Sequence, residues 1–241
     1  MERQCETGTV PVVFALDDGY AMPTAVAIYT MLKSYTREYI QIVFLFKDAL
    51  RSLTKALLES AAEPFRSRIT VEYRYIDVAD SVEFPDSHIS HITSATYYRL
   101  VLPELLESSE KCLYLDGDIY VNGDISELMG YEFQGEELIA GVRSTTTETA
   151  MPFVKKRKRE ELGIQDLSGY INAGVILMNL EGMRQCGAVK KMLDLIPRNF
   201  RVQDQDIINV VCCGRIKNVH PKYNALPDLF RKSKQYLAPV Y

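Results

Sequence analysis

Two aspartates, Asp116 and Asp118, stand one residue apart in the stretch LYLDGDI, directly after a short apolar run. Two carboxylates at the end of a buried strand repel each other, and a hard divalent cation would offset that cost. Magnesium or manganese held by few protein oxygens keeps coordination positions open for a diphosphate. We expect Gly117 to give the backbone the freedom that turns both carboxylates toward one ion. An acidic turn that only caps the strand is the alternative interpretation.

The elements that would position this pair alternate between strand and helix patterns. β-rich apolar runs occupy residues 10–16, 40–46 and 69–76, and helical spacing of apolar residues occupies 21–35 and 49–62. This order predicts an α/β fold with a mostly parallel central sheet flanked by helices. Ligands of such sheets bind at the carboxyl ends of the strands, where Asp116 and Asp118 stand.

The second half of the chain continues the alternation. Its patterns predict helices at residues 94–106, 182–195 and 204–212, and strands at 111–115, 138–142 and 174–180. The basic run KKRKR at 155–159 is expected to form a mobile surface loop. Because we find no internal repeat or low-complexity linker, residues 1–241 are expected to form a single domain.

Composition excludes several classes of function. Lysine and arginine number 28 against 32 aspartates and glutamates, a net charge of −4 that argues against a nucleic-acid binder. The five cysteines form no CxxC pair and the three histidines no HExxH motif, so any metal is expected on oxygen ligands. With no apolar run long enough to span a membrane, we expect a reduced, cytoplasmic protein.

Five segments in fixed order resemble the motifs of family 8 glycosyltransferases, which include bacterial lipopolysaccharide galactosyl- and glucosyltransferases and, more distantly, glycogenin. The resemblance implies the GT-A fold and retaining transfer of a sugar from a UDP-sugar with manganese. The segments are VVFALDDGYA at 12–21, HITSATYYRL at 91–100, KCLYLDGDIYV at 111–121, YINAGVILMNL at 170–180 and VQDQDIIN at 202–209.

The resemblance assigns roles to residues at the nucleotide. Asp17 matches an aspartate that accepts a hydrogen bond from the uracil ring, with Ala15 packed beside the base. Asp116 and Asp118 match the DxD that binds manganese or magnesium, and Asp116 and Gly117 also count among the substrate-binding residues. Arg99 matches an arginine near the diphosphate, where a guanidinium can bind phosphate or sugar oxygens; a helix-surface salt bridge is its alternative.

Further roles are implied at the donor sugar. Asn172 matches a residue that binds sugar hydroxyls, and Ala173, next to Gly174, permits close approach of the backbone. Asp204 and Gln205 match the residues around the anomeric carbon and are the catalytic candidates. The sequence leaves open whether retention uses two inversions or front-face attack. Our hypothesis is the front-face route, because an amide and not a carboxylate stands at position 205.

The chain departs from the family after the region that matches KYNALP at 222–227. Relatives usually carry a His-x-x-Gly-x-x-Lys-Pro-Trp motif there, whose histidine is a third metal ligand, whereas this chain has no tryptophan. We expect a truncated chain, with a weakened metal site as the alternative. A membrane-attaching tail is also missing, so contact with the inner face of the membrane would need that absent segment. Ser144 stands where relatives often carry an aspartate. The basic run at 155–159 falls in the segment that folds over the donor in relatives, so a lid that meets phosphate or an anionic acceptor is the alternative to a solvated loop there.

The expected partners are UDP-glucose or UDP-galactose as donor and a glycan or lipopolysaccharide-like acceptor. Two alternatives compete with this hypothesis. A truncated or non-catalytic protein that only binds UDP-sugars is one. A haloacid-dehalogenase-type phosphatase is the other, but such enzymes place their DxD in the opening strand and have threonine or valine where this chain has Tyr120.

Overall fold

The apolar runs form one seven-stranded sheet in the computed structural model, which describes residues 9–37, 39–76, 94–148 and 150–226. Residues 91–93 of the second motif and residue 227 lie outside the described residues. The strands are β1 Val12–Ala15, β2 Ile40–Phe46, β3 Ile69–Tyr75, β4 Lys111–Leu115, β5 Ile139–Arg143, β6 Ile171–Asn179 and β7 Ile216–Asn218.

The sheet has the order β3-β2-β1-β4-β6-β5-β7. Strands β1 to β4 run parallel to one another, and β7 runs parallel to β5. Only β6 is reversed among these strands, since it pairs antiparallel with both β4 and β5. The prediction of a mostly parallel sheet is therefore confirmed.

Helices cover both faces of the sheet. The helices are α1 Ala21–Ser34, α2 Ser52–Ala62, α3 Leu102–Leu105, α4 Ser126–Met129, α5 Thr145–Glu148, α6 Pro152–Leu162, α7 Leu180–Gln185, α8 Ala188–Leu193 and α9 Gln203–Val211. Val12 and Leu113 face α1 and α2, whereas Val13 and Met178 face α7, α8 and α9. Within the described part of the chain, no helix combines the length and apolar character needed to cross a membrane.

Three predicted elements differ from the structure. Residues 94–106 form a 3-10 helix, Ser94–Val101, before α3, and Pro103 supplies no amide hydrogen at that junction. Residues 182–195 divide into α7 and α8 at Gly187, whose φ of 63° breaks the helix. Strand β6 begins at Ile171, earlier than predicted, so Asn172 and Ala173 lie within a strand and not in a turn.

The prediction of a mobile loop at residues 155–159 is wrong, because the basic run lies within α6. Pro152 opens this helix, and Gly163 follows it in the left-handed conformation with its amide donating to the Arg159 carbonyl. Lysine, arginine and glutamate are good helix formers, and a proline at the start with a glycine after the end marks both boundaries.

The central strands predict where the fold is most sensitive to truncation. Leu177 on β6 is 0% exposed, and we expect Leu177→Ala to lower the free energy of unfolding by about 2–5 kcal/mol, because it leaves a cavity. The control is Leu53→Ala on α2, where the leucine is 78% exposed. Urea unfolding of both variants measures the difference. A loss as large at Leu53 as at Leu177 would contradict the burial pattern.

Candidate functional site

A cavity of about 320 Å³ opens at the edge of the sheet where β1 and β4 end and the reversed strand β6 begins. All ten residues predicted for the site line this cavity: Ala15, Asp17, Arg99, Asp116, Gly117, Asp118, Asn172, Ala173, Asp204 and Gln205. The structure therefore brings together residues from five segments that are far apart in the chain. Their roles stay predictions.

Arg99 pairs with two acidic residues of the site, Asp116 and Asp204. Its side chain is only 5% exposed, with Nη2 lying 2.9 Å from Asp116 Oδ1 and Nε lying 3.0 Å from Asp204 Oδ2. Nη1 donates to the carbonyl of Ala173 over 2.6 Å, and the guanidinium stacks 4.2 Å from the centre of the Tyr114 ring. The alternative of a salt bridge is therefore confirmed, but its expected location is wrong, because Arg99 is buried in the site and not on a helix surface.

Opposing effects act on the pKa values of this arginine and of Asp204. Burial acts to lower the pKa of Arg99, but the carboxylates of Asp116 and Asp204 outweigh it and raise that pKa above its ordinary value. Burial raises the pKa of Asp204 to about 6, although Arg99 acts in the opposite direction. Arg99 is therefore a fixed cation that holds two carboxylates from different parts of the chain at one wall of the cavity.

The DxD loop is fastened to β6. The amide of Asp116 donates to the Gly174 carbonyl over 2.8 Å, and a Cβ built on Gly174 would lie 2.7 Å from Asp116 Oδ2. Gly117 has no positive φ, contrary to the expectation that it supplies backbone freedom. A Cβ there would lie 2.3 Å from Thr24 Oγ1 of α1, so this glycine is required by close approach and not by its dihedral angles.

Two carboxylates in one cavity are a chemically suitable but small ligand set for a hard cation. Partial burial and the nearby charge of Asp116 raise the pKa of Asp118, which is the electrostatic cost that a bound cation relieves. Among the described residues, no cluster of three or more His, Cys, Asp or Glu could hold a metal ion. His220 and Lys222 do not line the cavity: His220 accepts from the Lys222 amide, and Lys222 pairs with Glu127.

The two aspartates after β1, Asp17 and Asp18, make different contacts. Asp17 lines the cavity, and its Oδ1 also accepts from the amides of Gly19 and Tyr20 over 2.8 and 3.2 Å. Asp18 instead accepts from the hydroxyl of Thr54 and the amide of Arg51, which fixes the start of α2. Asp17 therefore stabilises the turn after β1 and also lies in the cavity.

The amide of Gln205 is held in one orientation. Its Oε1 accepts from Asn172 Nδ2 and from the Ala173 amide, each over 3.1 Å, and its Nε2 donates to the Tyr170 hydroxyl over 3.0 Å. Asn209, one turn later on α9, exchanges two hydrogen bonds with the backbone of Ile171. Helix α9 is therefore locked to the start of β6.

Asp206 supports the start of α9. Its Oδ2 accepts from the Val202 amide over 2.8 Å, while Oδ1 accepts from the Tyr170 hydroxyl over 2.5 Å and lies 3.4 Å from Lys158 Nζ. The carboxylate is buried and directed away from the cavity that Asp204 and Gln205 line. The backbone at Gln203, immediately before them, has a φ of 40°.

The residue-by-residue predictions missed several side chains of the site. Tyr20, Thr96, Tyr114 and Val202 also line the cavity, and Tyr170 holds Gln205. Strand periodicity could have revealed Tyr114, because alternate residues of an extended strand share a face and Tyr114 lies two positions before Asp116. In the structure the Tyr114 hydroxyl lies 3.2 Å from Asp116 Oδ1. The contact of Tyr170 with α9 joins positions 35 apart, and no local pattern indicates it.

The chain resembles known proteins in both sequence and structure. The sequence family described as glycosyl transferase family 8 matches residues 11–240. The chain belongs to glycosyl transferase family 8. It is 26% identical over 219 residues to the lipopolysaccharide 1,3-galactosyltransferase of Salmonella typhimurium, covering 88% of this chain and 62% of the relative. It is 27% identical over 231 residues to a lipopolysaccharide 1,2-glucosyltransferase of Escherichia coli, covering 92% and 64%.

The fold of this family 8 chain also matches solved structures. The galactosyltransferase LgtC, solved in complex with donor and acceptor sugar analogues, superposes with a TM-score of 0.73 at 24% identity, over 88% of this chain and 74% of LgtC. The GT-A fold is therefore confirmed, and the family match leaves the phosphatase hypothesis without support. The chain spans slightly less than two thirds of the length of the two lipopolysaccharide glycosyltransferases.

The buried arginine of this family 8 site predicts a large effect on stability. Arg99→Met leaves the charges of Asp116 and Asp204 without their cation, and we expect unfolding to become easier by about 3–5 kcal/mol. Arg66→Met is the control, because its pair with Glu63 is exposed and is worth about 0.5 kcal/mol. Denaturant unfolding measures both. Equal effects would show that Arg99 does not stabilise the two carboxylates.

Proposed function

We propose that this chain is a metal-dependent, retaining hexosyltransferase that moves glucose or galactose from a UDP-sugar to a glycan or lipopolysaccharide-like acceptor. One observation carries the proposal: a single cavity at the carboxyl edge of the sheet gathers the DxD pair, Arg99, Asp204 and Gln205. Family membership supports glycosyl transfer, and the matched relatives are lipopolysaccharide glycosyltransferases by name.

The nucleotide end of the cavity suits a uridine. The carboxylate of Asp17 would accept from the ring N–H of uracil, a donor that cytosine lacks at that position, with Ala15 beside the base. One Asp17 oxygen already accepts from two backbone amides, so the side chain is held in place before a ligand enters. Such preorganisation lowers the entropic cost of binding.

Asp116 and Asp118 would hold manganese or magnesium in this proposal. When bound, the cation neutralises charge on the diphosphate as UDP departs. Arg99 fixes the Asp116 carboxylate, and the missing side chain of Gly174 leaves that carboxylate its space. The protein thus holds one metal ligand rigidly from two sides.

The contacts of Asp204 and Gln205 favour front-face attack. Asp204 is paired with Arg99, and Gln205 Oε1 already accepts two N–H groups, so neither oxygen is an unencumbered nucleophile. In the front-face route the bond from the anomeric carbon to the diphosphate oxygen breaks while the acceptor oxygen bonds to the same face of that carbon. The acceptor proton passes to the departing phosphate oxygen. Gln205 and Asp204 would stabilise the oxocarbenium-like state and hold the sugar hydroxyls.

Calorimetric titration of UDP-glucose and UDP-galactose, with and without manganese, tests the proposal when released UDP is followed in the same samples. We expect manganese-dependent binding and slow UDP release with at least one donor. Asp116→Asn and Asp118→Asn should both abolish the manganese-dependent part, because each replaces one of only two charged ligands by a neutral amide and hard-cation affinity depends on ligand charge. Asp194→Asn, which removes an exposed carboxylate on the surface, serves as the matched control.

Each other outcome of this titration has a distinct meaning. Binding without UDP release supports the alternative of a non-catalytic UDP-sugar-binding protein. Unchanged affinity in both DxD variants contradicts the metal assignment, and no binding by the unmodified chain contradicts the donor assignment.

Gln205 gives a second prediction for the same assay. Gln205→Ala should lower turnover about a hundredfold, since a preorganised dipole at the developing charge is lost, with UDP affinity nearly unchanged. Gln185→Ala on the surface of α7 is the control. Mass spectrometry during turnover should find no sugar attached to Asp204 or Gln205; such an adduct would refute the front-face route.

A further inference from the structure

A second cavity of about 220 Å³ lies at the same edge of the sheet, beyond the end of β5. Cationic and hydroxyl side chains surround it, together with the ring of Tyr170: Arg143, Lys155, Arg159, Ser144 and Thr147. None of these residues is among those assigned to the donor from the sequence, although a lid over the donor is the alternative interpretation of residues 155–159. The proposed donor chemistry leaves this cavity without a role.

The charge of this cavity is positive. Three basic side chains line it against one carboxylate, that of Asp166. Asp166 accepts from the amide and the hydroxyl of Ser168 over 2.8 and 2.6 Å, and these hydrogen bonds, together with the charges of Arg143 and Arg159, lower its pKa. Arg143 is oriented by a hydrogen bond of 2.5 Å from its Nε to the Ser168 carbonyl. An anion entering the cavity would therefore meet a net cationic wall.

Helix α6 divides its basic residues between two faces. Lys155 and Arg159, four positions apart, line the second cavity, as residues one helical turn apart share a face. Lys158 turns toward the protein, with its Nζ 3.7 Å from the centre of the Tyr170 ring. Lys156 faces solvent beside Glu160, and Arg157 is exposed. The cationic lining is thus a property of one face of α6 and not of the whole basic run.

One buried side chain separates the second cavity from the donor cavity. Tyr170 lines the second cavity, and its hydroxyl accepts from Gln205, which lines the first. The amide of Ser144 donates to the Tyr170 carbonyl over 2.9 Å, so the two walls are built on the same residue. A group bound in the second cavity would lie one side chain away from the proposed catalytic amide.

We propose that the second cavity binds an anionic group, a phosphate or a carboxylate, carried by the sugar acceptor. This inference rests on the proposed function, because it needs an acceptor to be delivered next to Gln205. Arginine and lysine suit such groups through charge-assisted hydrogen bonds, and the hydroxyls of Ser144 and Thr147 are placed to bind further oxygens. The acceptor class is therefore an acidic or phosphorylated glycan.

The test uses the full chain with excess UDP, which keeps the donor cavity filled, and titrates four probes: glucose 6-phosphate, glucuronate, glucose and inorganic phosphate. We expect at least one acidic sugar to bind about tenfold more tightly than glucose. The double variant Lys155→Gln/Arg159→Gln should lose that advantage. Lys156→Gln/Arg157→Gln removes the same charge from the outer face of α6 and should keep it, since exposed pairs contribute little.

These titrations have four informative outcomes. Loss in the inner-face variant alone supports the site, whereas equal loss in both double variants, or no preference for acidic sugars, overturns it. Inorganic phosphate binding as tightly as the sugar acids keeps the anion site but overturns its assignment to an acceptor. UDP affinity is measured first in every variant, so a failure of the proposed donor site is seen separately from a failure of this one.

Discussion

The buried guanidinium of Arg99 is the interaction on which the site depends. It ties Asp116, at the end of β4, to Asp204, at the start of α9, and it also donates to the carbonyl of Ala173 on β6. Two carboxylates at one wall of a cavity repel each other, and their burial is tolerated because a fixed cation lies between them. The remaining geometry of the cavity follows from this arrangement, since three segments far apart in the chain are held at one point.

The reversed strand β6 makes that arrangement possible. Because it runs against β4, its first residues reach the edge at which the parallel strands end, and Asn172, Ala173 and Gly174 enter the cavity from there. Gly174 leaves room for Asp116, and the backbone of Ile171 is fastened to Asn209 of α9. The amide of Gln205 is then oriented by donors from β6, so the proposed catalytic dipole is set by the sheet itself.

Tyr170 lies between the two cavities at this edge of the sheet. Its hydroxyl links Gln205 to Asp206, and its ring faces Lys158 of the basic helix α6. The first cavity is lined by four carboxylates and Arg99, whereas the second is lined by two arginines, a lysine and Asp166. These opposite net charges fit the proposed reaction, in which a donor diphosphate and an anionic acceptor would enter separate cavities.

The sequence by itself determined the α/β alternation, the position of the DxD after a strand and every residue that the family motifs mark, because strand runs and motif spacings are local patterns. It misjudged the basic run at 155–159, where the flanking Pro152 and Gly163 define a helix, and it took Gly117 for a flexible point. Only the tertiary structure decided that Arg99 is buried between two carboxylates, that Tyr170 holds Gln205 and that one face of α6 lines a second cavity. The contacts of Arg99 and Tyr170 join residues 17 to 105 positions apart, and the second cavity depends on which face of α6 meets the core. Tertiary packing fixes both the distant contacts and the orientation of the helix.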